Sequence, residues 1–134
     1  MEGLGAEVLK VEQPAQGDSS RAFGPFPNER KNPEQSGLYI FLNNGKKSIT
    51  LDIGSAEGRD SLKELLREMD CFIVDLRPSQ LAQAGLAYQD LQALNPSLVV
   101  VSITPFGLKS PYAEYKAYDL NIAAAAGVCT AGWQ

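Results

Sequence analysis

Residues 98–103, Leu-Val-Val-Val-Ser-Ile, make an apolar run too continuous for a strand with one face in water. Such a run reads as a strand buried on both faces, and strands of that kind belong to parallel sheets covered by helices. A loop punctuated by Pro105, Gly107 and Pro111 follows, and then a Tyr118-Asp119 pair leads into an alanine-rich segment. Loops leaving the carboxyl end of a parallel strand are where open α/β sheets receive their ligands. This run therefore points to an α/β fold and draws attention to the loop behind it.

The rest of the chain alternates in the same manner. Residues 6–12 read as a strand, and residues 13–35 as a polar loop rich in Pro and Gly. That loop exceeds the usual length of a structureless connection, so it is expected to be a binding loop or a disordered one. A short helix is expected over 37–43 and a strand over 48–52. Ser55 can cap the next helix, in which Leu62, Leu65, Leu66 and Met69 share a face at helical spacing. A strand over 71–76, a short helix started by Pro78, a helix over 88–94, the strand at 98–104 and a helix over 118–128 complete the reading. Strands separated by helices imply right-handed crossovers. The expected architecture is one α/β domain over 1–134, a Rossmann-like parallel sheet with helices on both faces.

Composition removes several classes of function. A net charge of −4 with no basic stripe argues against a nucleic-acid partner. No apolar run approaches the roughly 18 residues that span a bilayer, and no signal peptide opens the chain, so no membrane partner and a cytoplasmic location are expected. Cys71 and Cys129 lie in apolar surroundings and read as reduced, buried thiols. With no His and two Cys, a zinc site is not expected. Gly3 and Gly5 follow no strand and Val8 fills the third glycine position, so a nicotinamide cofactor is unsupported.

Several short motifs then fall in one order. Residues 5–12 read Gly-Ala-Glu-Val-Leu-Lys-Val-Glu, and Gly17-Asp18-Ser19-Ser20-Arg21 forms a turn after them. Asn44 to Asp52 reads Asn-Gly-Lys-Lys-Ser-Ile-Thr-Leu-Asp, Ala56-Glu57-Gly58 opens a helix, and Asp75-Leu76-Arg77-Pro78 follows a strand. Ser102-Ile103-Thr104-Pro105-Phe106-Gly107, Ser110-Pro111-Tyr112 and Tyr118-Asp119-Leu120 close the series. Together they resemble the amino-terminal part of the family III CoA-transferases, the CaiB/BaiF group. That group includes formyl-CoA and carnitinyl-CoA transferases and α-methylacyl-CoA racemases.

The resemblance implies chemistry in which an acyl group passes through an aspartyl anhydride and an enzyme-bound CoA thioester, with CoA lying along strand ends and the loops behind them. Carried over by position, the implied CoA contacts are Gln13, Leu51, Asp75, Leu76, Gln80, Gln83, Ala84, Lys116 and Tyr118. Three depart from the family pattern: Gln13 and Gln83 stand where cations are common, and Asp75 adds a negative charge. Lost charge-assisted contacts to phosphates are worth about 1.5–3 kcal/mol each in favourable cases. Asp119 reads as a first-turn helix residue favoured by the helix dipole rather than as a catalyst. Asn44 to Lys47 reads as a turn into a strand, and Arg77-Pro78 as a strand-to-helix turn. Racemases of the group resemble a Gly-His-Asp pattern where this chain has Ala117-Tyr118-Asp119, so a His–Asp two-base mechanism is excluded.

Two features of the family are expected to be missing. Met1 to Leu4 stands where the family's first helix would be partly complete, so the sheet is expected to be incomplete. The family's catalytic Asp would lie roughly thirty residues beyond Tyr118, past Gln134. The reading is thus a CoA- or acyl-CoA-binding portion of a transferase-like protein, inactive by itself, with no resident cofactor and no catalytic residue of its own. The alternative is a non-enzymatic CoA-binding or interaction module, or an inactive remnant. Because an incomplete sheet exposes backbone and apolar side chains, association as a homodimer is expected.

Overall fold

Four short strands pair in parallel twos. β1 (Leu9–Glu12) lies beside β2 (Lys47–Thr50), with Leu9 opposite Lys47 and Glu12 opposite Thr50. β3 (Cys71–Val74) lies beside β4 (Val99–Ser102), with Cys71 opposite Val99 and Val74 opposite Ser102. Parallel pairing needs a crossover in each case. The computed structural model describes residues 2–128 and divides into two compact units, Met1–Leu62 and Lys63–Gln134. The fold is mixed α/β, with short parallel sheets flanked by helices. A single sheet was the expectation; among the described residues the strands form two separate pairs, because no third strand hydrogen-bonds to either.

In the first unit the polar loop after β1 is ordered by its own side chains. Single 3₁₀ turns form at Ser19–Ala22, Pro27–Glu29 and Pro33–Gln35. Asp18 and Asn32 cap the first and third by accepting from the amides of Ser20 and Glu34. Ser36 is fully buried and caps α1 (Gly37–Asn43) by accepting from the Tyr39 amide at 3.1 Å. Its hydroxyl also lies 2.5 Å from the Phe23 carbonyl and 2.9 Å from that of Ser20. The loop is thus a set of capped turns rather than a structureless connection. Ser55 caps α2 (Ala56–Arg67) by accepting from the Gly58 amide at 3.0 Å. A Cβ on Gly58 would fall 1.9 Å from the Asp52 carbonyl oxygen, so only glycine lets this helix start so close to the β2 exit.

The second unit has an apolar interior. Leu66 on α2, Val74 on β3, Leu81 and Ala84 at α3 (Pro78–Gln83), Leu86, Leu91 on α4 (Tyr88–Leu94) and Leu98 are all buried. Fully burying one such leucine contributes about 1.5–3 kcal/mol. The end of α3 shows how sequence fixes the path. Gly85 adopts a left-handed φ of 63°, its amide donates to the Ala82 carbonyl at 3.0 Å, and the Leu86 amide reaches the Leu81 carbonyl at 2.9 Å. This two-bond stop brings the apolar residues on either side of the turn together, and both Leu81 and Leu86 are buried. Asn95 then donates to the carbonyls of Leu66 (3.1 Å) and Met69 (3.0 Å), satisfying groups that the end of α2 leaves unpaired.

One expectation about the apolar run is corrected. β4 is covered on one face only: Val99 is 58% and Val101 39% exposed, as are Ile103 and, on β3, Ile73. Alternation puts these residues on one side of the pair, which is the more exposed of its two faces. The helix expected over 118–128 is α5, Asp119–Ala125, ended at Gly127 by another left-handed glycine. Glu2–Leu4 makes one 3₁₀ turn. Cys71 is a half-buried free thiol, and Cys129 lies outside the described residues. Among the described residues no helix is long and apolar enough to cross a membrane.

Leu86→Ala is expected to lower the unfolding free energy by about 2–4 kcal/mol, and Gly85→Ala by about 1 kcal/mol. Urea titration checks both; a Leu86→Ala cost below 1 kcal/mol would mean that the interior closes around the lost side chain.

Candidate functional site

Five donors meet on one carboxylate in the first unit. Glu12 ends β1 and is buried, at 7% exposure. Its Oε2 accepts from Arg21 Nε at 2.9 Å and from the Asp18 amide at 3.1 Å. Its Oε1 accepts from Tyr39 Oη at 2.5 Å, Ser48 Oγ at 3.0 Å and Arg21 Nη2 at 3.2 Å. Arg21 also lies 3.6 Å above the centroid of the Tyr39 ring, so its charge is stabilised from two directions. Lys10, on the same strand, donates to Asp18 Oδ2 at 2.5 Å.

These contacts set the charges firmly. Arg21 foremost, with Tyr39 and Ser48, outweighs burial and holds the Glu12 carboxyl down to about 2. At Asp18 burial works to raise the pKa, but Lys10 and then Ser20 bring it to about 2. Burial, with the Glu12 charge beside it, pushes the Tyr39 hydroxyl up. A carboxylate saturated by five donors is a structural anion, and its lone pairs are not available to attack a substrate.

Where β1 and β2 end, an open crevice of about 320 Å³ is lined by Glu12, Gln13, Gln16, Gly17, Arg21 and Thr50, among others. Gln13 is exposed on its rim, and Leu51, half-buried, follows β2 directly. A larger crevice of about 430 Å³, lined by Lys63, Arg67, Gly85, Asp90, Leu91 and Leu94, contains none of the expected site residues. Size alone is therefore a poor guide here. The smaller crevice, at strand carboxyl ends, has the position that open α/β sheets use for ligands.

In the second unit, the expected residues sit behind β3 and along α3. Asp75 is exposed and Leu76 half-buried in the turn after the strand. Gln80 folds back, its Oε1 accepting from the Arg77 amide at 3.1 Å and from Arg77 Nε at 3.2 Å. Gln83 is exposed and Ala84 buried. The loop after β4 returns to this turn: the Ser79 amide and hydroxyl donate to the two carboxylate oxygens of Glu114, and Arg77 donates to its carbonyl. Phe106, Tyr112 and Tyr115 stack edge-to-face along that loop, with centroids 6.1 and 5.5 Å apart. Lys116 is exposed with no side-chain partner among the described residues, and Tyr118 is 80% exposed just before α5. Asp119 opens α5, the first-turn position expected for it. Ser102 Oγ, at the end of β4, is buried with no hydrogen-bond partner among the described residues.

The sequence analysis gave no role to Glu12 or to the Glu114 contact. The available signal was an inward-facing carboxylate at a strand's last position with an arginine nine residues on. Among the described residues no group of His, Cys, Asp and Glu is placed to hold a metal ion.

Comparison with known proteins is unequivocal about lineage. The family model of CoA-transferase family III matches residues 1–133. A succinate–glutarate CoA-transferase of Agrobacterium fabrum is 39% identical over 126 residues, covering 92% of this chain and 32% of that protein. An acetyl-CoA:oxalate CoA-transferase of Acetobacter aceti is 34% identical over 128 residues, covering 96% of this chain and 32% of the relative. Among solved structures, a CaiB/BaiF family protein from Brucella suis superposes with a TM-score of 0.79 at 38% identity, over 93% of this chain and 33% of its own. The chain spans about a third of the length of the relatives it matches.

The Glu12 network has a pH signature. Folding lowers both carboxyls from ordinary values of 4.5 and 3.8 to about 2, so their contribution is present above pH 5 and lost as pH falls from 4.5 toward 2. Glu12→Gln is expected to flatten that acid transition, followed by circular dichroism. Arg21→Ala, which strands the buried carboxylate, is expected to destabilise by about 3–5 kcal/mol at pH 7.

Proposed function

Because the chain belongs to CoA-transferase family III, we propose that its second unit holds the nucleotide end of a CoA thioester at the carboxyl ends of β3 and β4. The observation that carries this reading is the family match over residues 1–133, with relatives named as CoA-transferases. The local arrangement supports it. Leu76 offers apolar surface to an adenine ring, Gln80, Gln83 and Ala84 line the helix beside it, and Tyr118 adds an exposed aromatic ring. Lys116, without a side-chain partner among the described residues, is a cation suited to a phosphate. In the first unit, Gln13 and Leu51 occupy the equivalent strand-end positions behind β1 and β2.

Affinity should be weak. Gln13 and Gln83 offer no charge, and Asp75 is an exposed anion, so binding falls in the micromolar-to-millimolar range, on the order of −4 to −8 kcal/mol. Catalysis by this chain alone is not part of the proposal. Covalent transfer needs a carboxylate nucleophile set against the thioester carbonyl, with donors for the developing oxyanion. Glu12 and Glu114 are committed to other hydrogen bonds, while Asp75 and Asp119 are exposed. A misplacement of about 1 Å costs on the order of a hundredfold in such a reaction. These commitments favour, as a second reading, a CoA-binding module without turnover.

Calorimetric titration with CoA and acetyl-CoA tests binding, and Gln83→Arg is expected to tighten CoA about tenfold by restoring a charge-assisted contact. Absence of binding at high protein concentration would remove the reading. Incubation with an acyl-CoA and a panel of carboxylic acids, followed by mass spectrometry, is expected to give transfer no faster than buffer. Turnover lost in Asp119→Asn would show instead that this carboxylate acts as the nucleophile.

A further inference from the structure

One side chain ties the loop after β4 to the first turn of α3. The two oxygens of Glu114 accept from the Ser79 amide at 2.8 Å and the Ser79 hydroxyl at 2.6 Å, and Arg77 Nη1 donates to the Glu114 carbonyl at 3.1 Å. The Ser79 hydroxyl first, then its amide and the Arg77 charge, hold the Glu114 carboxyl below its ordinary range. Glu114 is exposed, and exposed polar contacts of this kind add little to global stability. What the arrangement does provide is geometry: two acceptors on one residue meet two donors on another, with a third bond to the adjoining carbonyl.

Lys116 follows two residues later, so its Cα lies within about 7 Å of that of Glu114. Without the tie, the segment would have to be ordered when a ligand binds, and ordering lowers affinity. Resting on the CoA reading above, we propose that Glu114 is a positioning residue, which holds Lys116 beside α3 ready for a CoA phosphate. Gln80 braces the other side of the same turn: its carbonyl oxygen accepts from Arg77, and Arg77 supports Glu114.

The test uses the full chain, its Glu114→Ala and Lys116→Met variants and the double variant, titrated with CoA and with adenosine while amide chemical shifts are followed. Glu114→Ala is expected to weaken CoA about five- to tenfold and leave adenosine unchanged, because adenosine carries no phosphate. The double variant is expected to bind CoA no worse than Lys116→Met alone. Glu114→Gln, which keeps an acceptor for the Ser79 amide, is expected to recover part of the loss. Equal weakening of adenosine and CoA, or losses that multiply in the double variant, would overturn the inference while leaving CoA binding in place. Failure of the unmodified chain to bind CoA would remove the nucleotide reading and this inference with it.

Discussion

The Glu12 carboxylate receives donors from the turn at Asp18 and Arg21, from Tyr39 on α1 and from Ser48 on β2, and this convergence fixes the path of the first unit. Taking a carboxylate out of water is expensive, and the attraction to one cation seldom repays it unless every lone pair is also used. Here they are used. Arg21 binds edge-on through two nitrogens, which a lysine could not do, and its face rests on the Tyr39 ring. Ser20 and Ser36, also buried and polar, extend the network into the loop.

The second unit is built differently. Its interior is leucine, and its polar groups mostly end helices: Gly85 stops α3, Asn95 covers the end of α2, and Glu114 covers the start of α3. The residues expected at the site follow from those endings. Leu76 and Asp75 stand where β3 stops, while Gln80 lies in the helix that follows and Ala84 caps its end.

Much of this was legible from the order of residues, and the reason is locality. Helices over 37–43 and 88–94 fall where they were expected, and the helix after Ser55 shows why: a capping serine and an i, i+4 stripe act within one or two turns. Ser55 caps α2 as its position suggests. The order within the 13–35 loop was not legible, because Glu12 holds Arg21 from nine positions away and the Ser36 hydroxyl holds the carbonyls of Phe23 and Ser20 from 13 and 16 positions away. Burial of β4 was misread for a related reason. An apolar run records what a strand can tolerate on each face, and whether a face is covered depends on elements elsewhere. The Glu114 tie reaches 35 residues back to Ser79, beyond any periodicity.

The polar interior of the first unit and the leucine interior of the second have an unequal thermal consequence. Exposing apolar surface raises heat capacity and exposing polar surface lowers it, so the free energy of the leucine interior curves steeply with temperature and that of the Glu12 network much less. Cooling weakens hydrophobic burial but leaves hydrogen-bonded ion pairs largely intact. Acid acts the other way, removing the charge on which the first unit is built and sparing the second. Residue-resolved hydrogen exchange across temperature and pH would separate the two responses; parallel loss in both units would show that they share one source of stability.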